Sequence, residues 1–246
     1  MKIEATEISA LAQALATPRV DLYGVIHKAL RAMLADSLVA VGRMDSADAA
    51  DRAAIATRVG TLLDCCASHL AHENLWVHPA IEARAPGASA RIAHEHDDHG
   101  QAIAALRRTL DHLTQATEPV TAAATAQSLY RQLALFMADN LVHMHGEETT
   151  HNALLWARYT DAELLDLHAA LVGSIPPEEM MLTLRWMLPA MAPQERSAML
   201  ADMQAHAPAP AFEAALEVAR LHLDAPAWAA LSRSLGLAPA AGLVNA

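Results

Sequence analysis

Two cysteines in 246 residues, adjacent at Cys65 and Cys66, exclude a disulfide framework. Aromatic residues make up only 4% and glycine only 9 positions, so there is little of the material that sheets are built from. Basic residues are the minority, 17 against 28 acidic ones. The resulting charge of -11 excludes the clustered basic footprint of a nucleic-acid binder that tracks phosphates. No apolar run approaches the ~18 residues of a membrane span. The opening stretch MKIEATEIS carries charges at Lys2, Glu4 and Glu7 and no apolar core, so no secretory signal is expected and a cytoplasmic location is the default.

What is abundant points one way. Alanine supplies 57 residues and 54% of the chain is apolar, which fits a helical protein and excludes intrinsic disorder. Thr17-Pro18 reads as a cap with a proline at the first helical position, and Val20, Tyr23, His27, Leu30, Leu34 and Leu38 then form a stripe ending at Gly42. Asp45 or Ser46 caps a second helix running to about residue 84, which Pro79 is expected to kink or end. Ser89 opens a third helix, with Ile92, His96, His99, Ile103, Leu106 and Leu110 on one face. After Pro119 a fourth carries Leu129, Leu133, Phe136, Asn140, His143 and Glu147 to about residue 157.

Four long helices with short connections predict an all-α, up-down-up-down four-helix bundle over residues 1–160. Thr160-Asp161-Ala162-Glu163 is a capping box that opens a shorter helix. Eight of the 12 prolines lie from Pro176 onward and punctuate amphipathic pieces at Met180–Leu188, Glu195–Gln204, Phe212–Leu223 and Trp228–Leu235. A C-terminal helical subdomain over 161–246 is expected, of no legible role.

The 14 histidines are unevenly spread, with 11 at or before His151. Polar residues recur on the inward stripes: His27; His69 and Glu73; His96 and His99; His143 and Glu147. The two His/Glu pairs are spaced i,i+4 and each projects from one helix face, spanning ~6 Å along the axis. Seven such groups directed at one axis are a costly way to fill a core, unless metal neutralises the carboxylates and uses the imidazole lone pairs. Five nitrogens and two carboxylates suit iron better than magnesium or calcium. His72-Glu73-Asn74-Leu75-Trp76 fails the zinc-protease pattern at its last residue, and only Glu148-Thr149-Thr150-His151 fits the Glu-x-x-His of ferritin-like bundles.

The segments LYGVIHKALR, SHLAHENLWVHPAIEAR, AHEHDDHGQAIAAL and LVHMHGEETTHNALLW resemble the four helices of the hemerythrin-like, HHE cation-binding family, over about residues 18–157. The resemblance implies two non-haem iron ions, for which zinc or another divalent metal can substitute. It also implies a small diatomic ligand, dioxygen or nitric oxide, or the sensing of iron or redox state. The third helix departs from the family, having no histidine pair four apart; His96 and His99 share the apolar face and His94 does not. The last carboxylate is open, since Glu148 matches the family spacing while Glu147 shares the face of His143.

Tyr23 lies one turn from His27, placed either to hydrogen-bond a ligand on iron or to fill the core. Cys65 is expected to be buried and inert, His78 and His145 to face solvent, and His72 and His151 to lie in outer positions at the bundle end. A site saturated by seven ligands favours binding over turnover. The competing readings are a di-iron oxidase or peroxidase, and a metal-stapled module whose C-terminal helices bind a protein partner or a second copy.

Overall fold

The structure is a computed structural model that describes residues 19–237. The expected cap at Thr17-Pro18 lies outside that range. The first helix, α1, spans Gly24–Arg43. The second rod is continuous: α2 (Ala49–His72), a π-helical turn (Glu73–Val77) and α3 (His78–Arg84). Asp48, rather than Asp45 or Ser46, caps it, its side chain accepting from the Ala50 N–H at 2.8 Å. Helix α4 (Ala90–Gln115) follows. The fourth rod repeats the plan of the second, as α5 (Pro119–Gly146), a π-turn (Glu147–His151) and α6 (Asn152–Arg158).

Pro79 neither ends nor breaks its helix. A proline offers no N–H to the carbonyl four residues back and its ring clashes with that carbonyl. Widening the preceding turn, so that the His78 N–H reaches the Glu73 carbonyl, lets the rod run on through the proline.

The rods enclose two apolar clusters with a polar layer between them. Leu30 and Leu34 of α1, Leu62 and Cys66 of α2, Ile103 and Leu106 of α4, and Leu133 and Phe136 of α5 belong to the larger one. Tyr23, Val77, Ile81, Leu155 and Leu164 close the other end. In sequence, His27 falls between Tyr23 and Leu30, and the two His/Glu pairs fall between the residues of the same two clusters. The buried polar layer is therefore stacked between two dry plugs, each large aliphatic side chain contributing about 1.5–3 kcal/mol.

Beyond the bundle, α7 (Asp161–Ser174) starts at the expected Thr160 capping box and delivers Leu164 to the end plug. The remaining helices are α8 (Pro177–Ala190), α9 (Pro193–His206), α10 (Ala209–His222) and α11 (Ala225–Ser234). Each begins with a proline in its first two positions, where the missing N–H costs nothing. They form a further core from Leu184, Leu188, Leu200, Ala215 and Leu231, which packs on Val25, Ile26 and Ala29 of α1. Lys28 of α1 pairs with Glu195 of α9 at 2.6 Å. Among the described residues no helix is long and apolar enough to cross a membrane.

Candidate metal centre

Six of the seven expected site residues meet in the polar layer. His27, His69, Glu73 and Glu147 form one group, and Glu73, His96, His143 and Glu147 a second, each with its donor atoms within 4.8 Å of one another. Ligands ~2.0–2.2 Å from one ion lie at most about twice that distance apart, so each group is close to the span of a coordination sphere. Both glutamates belong to both groups. Glu73 turns Oε1 to His69 Nε2 (3.3 Å) and Oε2 to His96 Nε2 (3.5 Å). Glu147 turns Oε1 to His143 and His96 (3.3 and 3.5 Å) and Oε2 to His27 (3.4 Å). Each carboxylate thus faces imidazoles of both groups, with two imidazoles on either side.

The far nitrogens of three of the four rings hold them in place. His27 Nδ1 donates to Glu148 Oε1 at 3.0 Å, His96 Nδ1 to Asn74 Oδ1 at 2.8 Å, and His143 Nδ1 to Glu95 Oε2 at 2.9 Å. An ionised carboxylate only accepts, so Nδ1 of His27 and of His143 carries the proton and Nε2 presents its lone pair inward. Arg31 binds both oxygens of Glu148, at 2.6 and 2.9 Å, and Arg91 pairs with Glu95. The two candidate carboxylates of the last rod thus have separate places. Glu147 faces the centre, and Glu148 orients His27.

His99 is not brought into either group. It is buried, but its Nε2 lies 3.0 Å from Asp139 Oδ2 and its ring packs edge-on against His143, centroids 4.7 Å apart. Sharing an apolar stripe with His96 puts it in the interior without aiming it at the centre. His78, expected to face solvent, and His151, expected in an outer position, come inward instead. His78 and His151 are 6% and 0% exposed, and together with Glu147 their donor atoms form a third group.

An α-helix would turn His78 roughly 140° away from Glu73, while a π-turn advancing about 82° per residue brings it back to roughly 50°. His151 follows Glu147 at i,i+4, a spacing that carries the signal; its i+8 spacing from His143 does not. The Tyr23 hydroxyl sits 3.1 Å from His151 Nδ1. It therefore braces an imidazole.

The layer carries unsatisfied groups that a metal would satisfy. Both oxygens of Glu73 and of Glu147, and Nε2 of His78, His96, His143 and His151, are buried with no hydrogen-bond partner among the described residues. Each unpaired buried group costs about 1–3 kcal/mol. The donor set, imidazole nitrogen with carboxylate oxygen, suits iron or zinc. The residues fit a metal.

The electrostatics of the metal-free layer are divided. Burial, then the neighbouring Glu147, pushes Glu73 well above the ordinary carboxylate range. Burial pushes Glu147 up too, yet the facing imidazoles of His143 and His96 hold it well below that range. Glu148 is likewise held down to about 2, against burial, by His27 and Arg31. Burial, followed by the neighbouring His27, lowers His69 well below its usual value; burial also lowers His99, and takes His78 and His151 each to about 4. His143 is raised, because Glu147 and Glu95 outweigh burial. Burial pushes the Cys65 thiol up to about 11 and Cys66 up to about 12, which makes both unreactive.

The pH dependence of the metal-free chain follows. For the lowered histidines the unfolded state binds more protons between pH ~6.5 and ~4, so stability falls as pH falls through that window. Raised Glu73 and His143 work in the opposite sense. His78 and His151 together are expected to lose about 3 kcal/mol across it, after allowance for solvent screening. Denaturant midpoints at pH 7 and pH 4.5 check this. Replacing both by glutamine should flatten the pH slope, and an unchanged slope would refute the assignment.

A family model described as the hemerythrin HHE cation binding domain matches residues 20–155. The iron-sulfur cluster repair protein YtfE of Musicola paradisiaca (strain Ech703) is 32% identical over 108 residues. The match covers 42% of this chain and 46% of that relative, so it spans less than half of the relative's length. No solved structure matches the chain.

Proposed function

The chain belongs to the hemerythrin HHE cation-binding domain family, and from that premise we propose that it is a non-haem di-iron protein that binds or senses a small diatomic ligand, dioxygen or nitric oxide. The observation that carries the reading is the pair of donor groups sharing Glu73 and Glu147, with five of the six donor residues buried and His27 and Glu147 fully so. Bound iron would supply an electron-rich Lewis-acidic centre at which a diatomic molecule is held. The chain's own residues do the rest. His27 and His69 would hold one ion and His96 and His143 the other, with Glu73 and Glu147 common to both groups and neutralising their charge.

The expected saturation is not what the geometry supports. With His99 outside both groups, six side chains rather than seven supply the donors, four in each group, so the count of ligands no longer argues against turnover. Access does. The two plugs of leucine, isoleucine and tyrosine close the layer at both ends and His69 is the one partly exposed donor, an enclosure that favours a diatomic molecule over an organic substrate. Clefts of about 300 and 330 Å³ lie on the C-terminal helices and along the α1–α8 seam, lined by Pro193, Arg196 and Leu231 and by Ala32, Trp186 and His222 respectively, not by the histidine layer.

A second reading, that the chain supplies iron for iron–sulfur cluster repair, draws support from the relative that bears that name. We also read the protein as cytoplasmic, consistent with Cys65 and Cys66 both being free thiols. Anaerobic reconstitution followed by iron quantitation tests the main reading, with about two irons per chain expected. The visible spectrum of the oxidised form should change on adding azide. One iron per folded chain removes the binuclear reading. Iron that passes to an apo cluster protein faster than to a chelator favours the repair reading.

A further inference from the structure

The third donor group lies outside the paired arrangement. His78 and His151 sit between the polar layer and the apolar plug of Val77, Ile81, Leu155 and Leu164. Apolar side chains would continue that plug at lower cost, since a buried imidazole nitrogen without a partner is destabilising. Both Nε2 atoms are without one among the described residues, and both lie with a Glu147 oxygen inside 4.8 Å. The rings are preset. His78 stacks on His96 with centroids 4.7 Å apart, His151 meets His78 edge-on at 5.6 Å, and the Tyr23 hydroxyl holds His151 Nδ1 at 3.1 Å. His78 follows directly on its π-turn, whose widening aims it inward, and His151 ends the other, sharing the Glu147 face at i,i+4.

We propose that His78, Glu147 and His151 form a third cation position beside the paired one, for a divalent ion of the iron, cobalt or zinc type. This rests on the paired reading, because Glu147 is the donor common to all three groups. Two imidazoles and one carboxylate select a borderline transition-metal ion over magnesium or calcium, which take oxygen. The position is the weakest of the three. It has one carboxylate, already shared, where each member of the pair has two, and an ion there faces the charge of its neighbours.

Anaerobic titration of the metal-free protein with cobalt(II) at neutral pH tests it, followed by visible absorption and by metal content at graded free cobalt. The parent is expected to take up about three ions per chain, the last with roughly a hundredfold lower affinity. His151→Ala and His78→Gln should each stop at two, with the first two steps unchanged. Tyr23→Phe, which keeps the ring in the plug and removes only the brace, should weaken the third step alone. A parent that saturates at two while the variants also hold two overturns the third position and leaves the pair standing. His151→Ala falling to one ion also overturns it, since His151 would then belong to the pair. No cobalt uptake by the folded parent removes the pair as well.

Discussion

Glu147→Ala is expected to release both ions of the pair, while Glu148→Ala keeps them at reduced affinity. The adjacent carboxylates differ by one position in the chain and by their whole environment in the fold. Glu147 is fully buried, and its two oxygens face His143 and His96 on one side and His27 on the other. Its removal takes one donor and one negative charge from each group of four, a loss we put at roughly a thousandfold in affinity or more, about 4 kcal/mol. Glu148 touches only the outer nitrogen of His27 and is itself anchored by Arg31. Losing such an orienting partner typically costs about 10–100-fold. Glu148→Gln, which still accepts from His27 Nδ1, should fall between Glu148→Ala and the parent. Iron per chain after gel filtration, with far-UV helicity as the folding control, decides the order. A Glu148→Ala protein that is metal-free beside a loaded Glu147→Ala would reverse the roles.

Stripping the metal is expected to lower the thermal midpoint by about 10–30 °C. Each ion at 100 to 1,000 times its dissociation constant stabilises the folded state by about 2.7–4.1 kcal/mol, and a chain of this size shifts by about 2–4 °C per kcal/mol. The physical origin is the set of unpaired oxygens and nitrogens in the layer between the two plugs. A matched variant separates this from general damage. Burial already favours the neutral form of Glu73, so Glu73→Gln reproduces the metal-free state of that side chain. Metal-free Glu73→Gln should melt with the metal-free parent, and adding iron should rescue the parent only. Rescue of both by iron would show that Glu73 does not hold metal.

Much of the centre was legible before the fold was known, because it depends on helical spacing. His69–Glu73 and His143–Glu147 are i,i+4 pairs on apolar stripes, and a helix that buries the stripe must bury the pair. The same rule separates His96 from the exposed His94. It fails for His99, since a stripe covers a wide arc and burial alone does not choose where within that arc a ring points. Asp139, from the neighbouring rod, takes the His99 Nε2, and that contact joins residues 40 apart in the chain.

The amino-acid sequence by itself determined the all-helical class, the order of the rods and the mixed imidazole–carboxylate donor set, since all three follow from composition and from a period of 3.6 residues. Only the tertiary structure decided between Glu147 and Glu148, which are neighbours in the chain and become centre and support when Arg31 of α1 approaches one of them. It also decided the inward turn of His78. A constant 100° step places that residue on the outer face, and the π-turn over Glu73–Val77 changes the step. Periodicity assumes an undisturbed helix, and this helix departs from it within the turn that begins at a central glutamate.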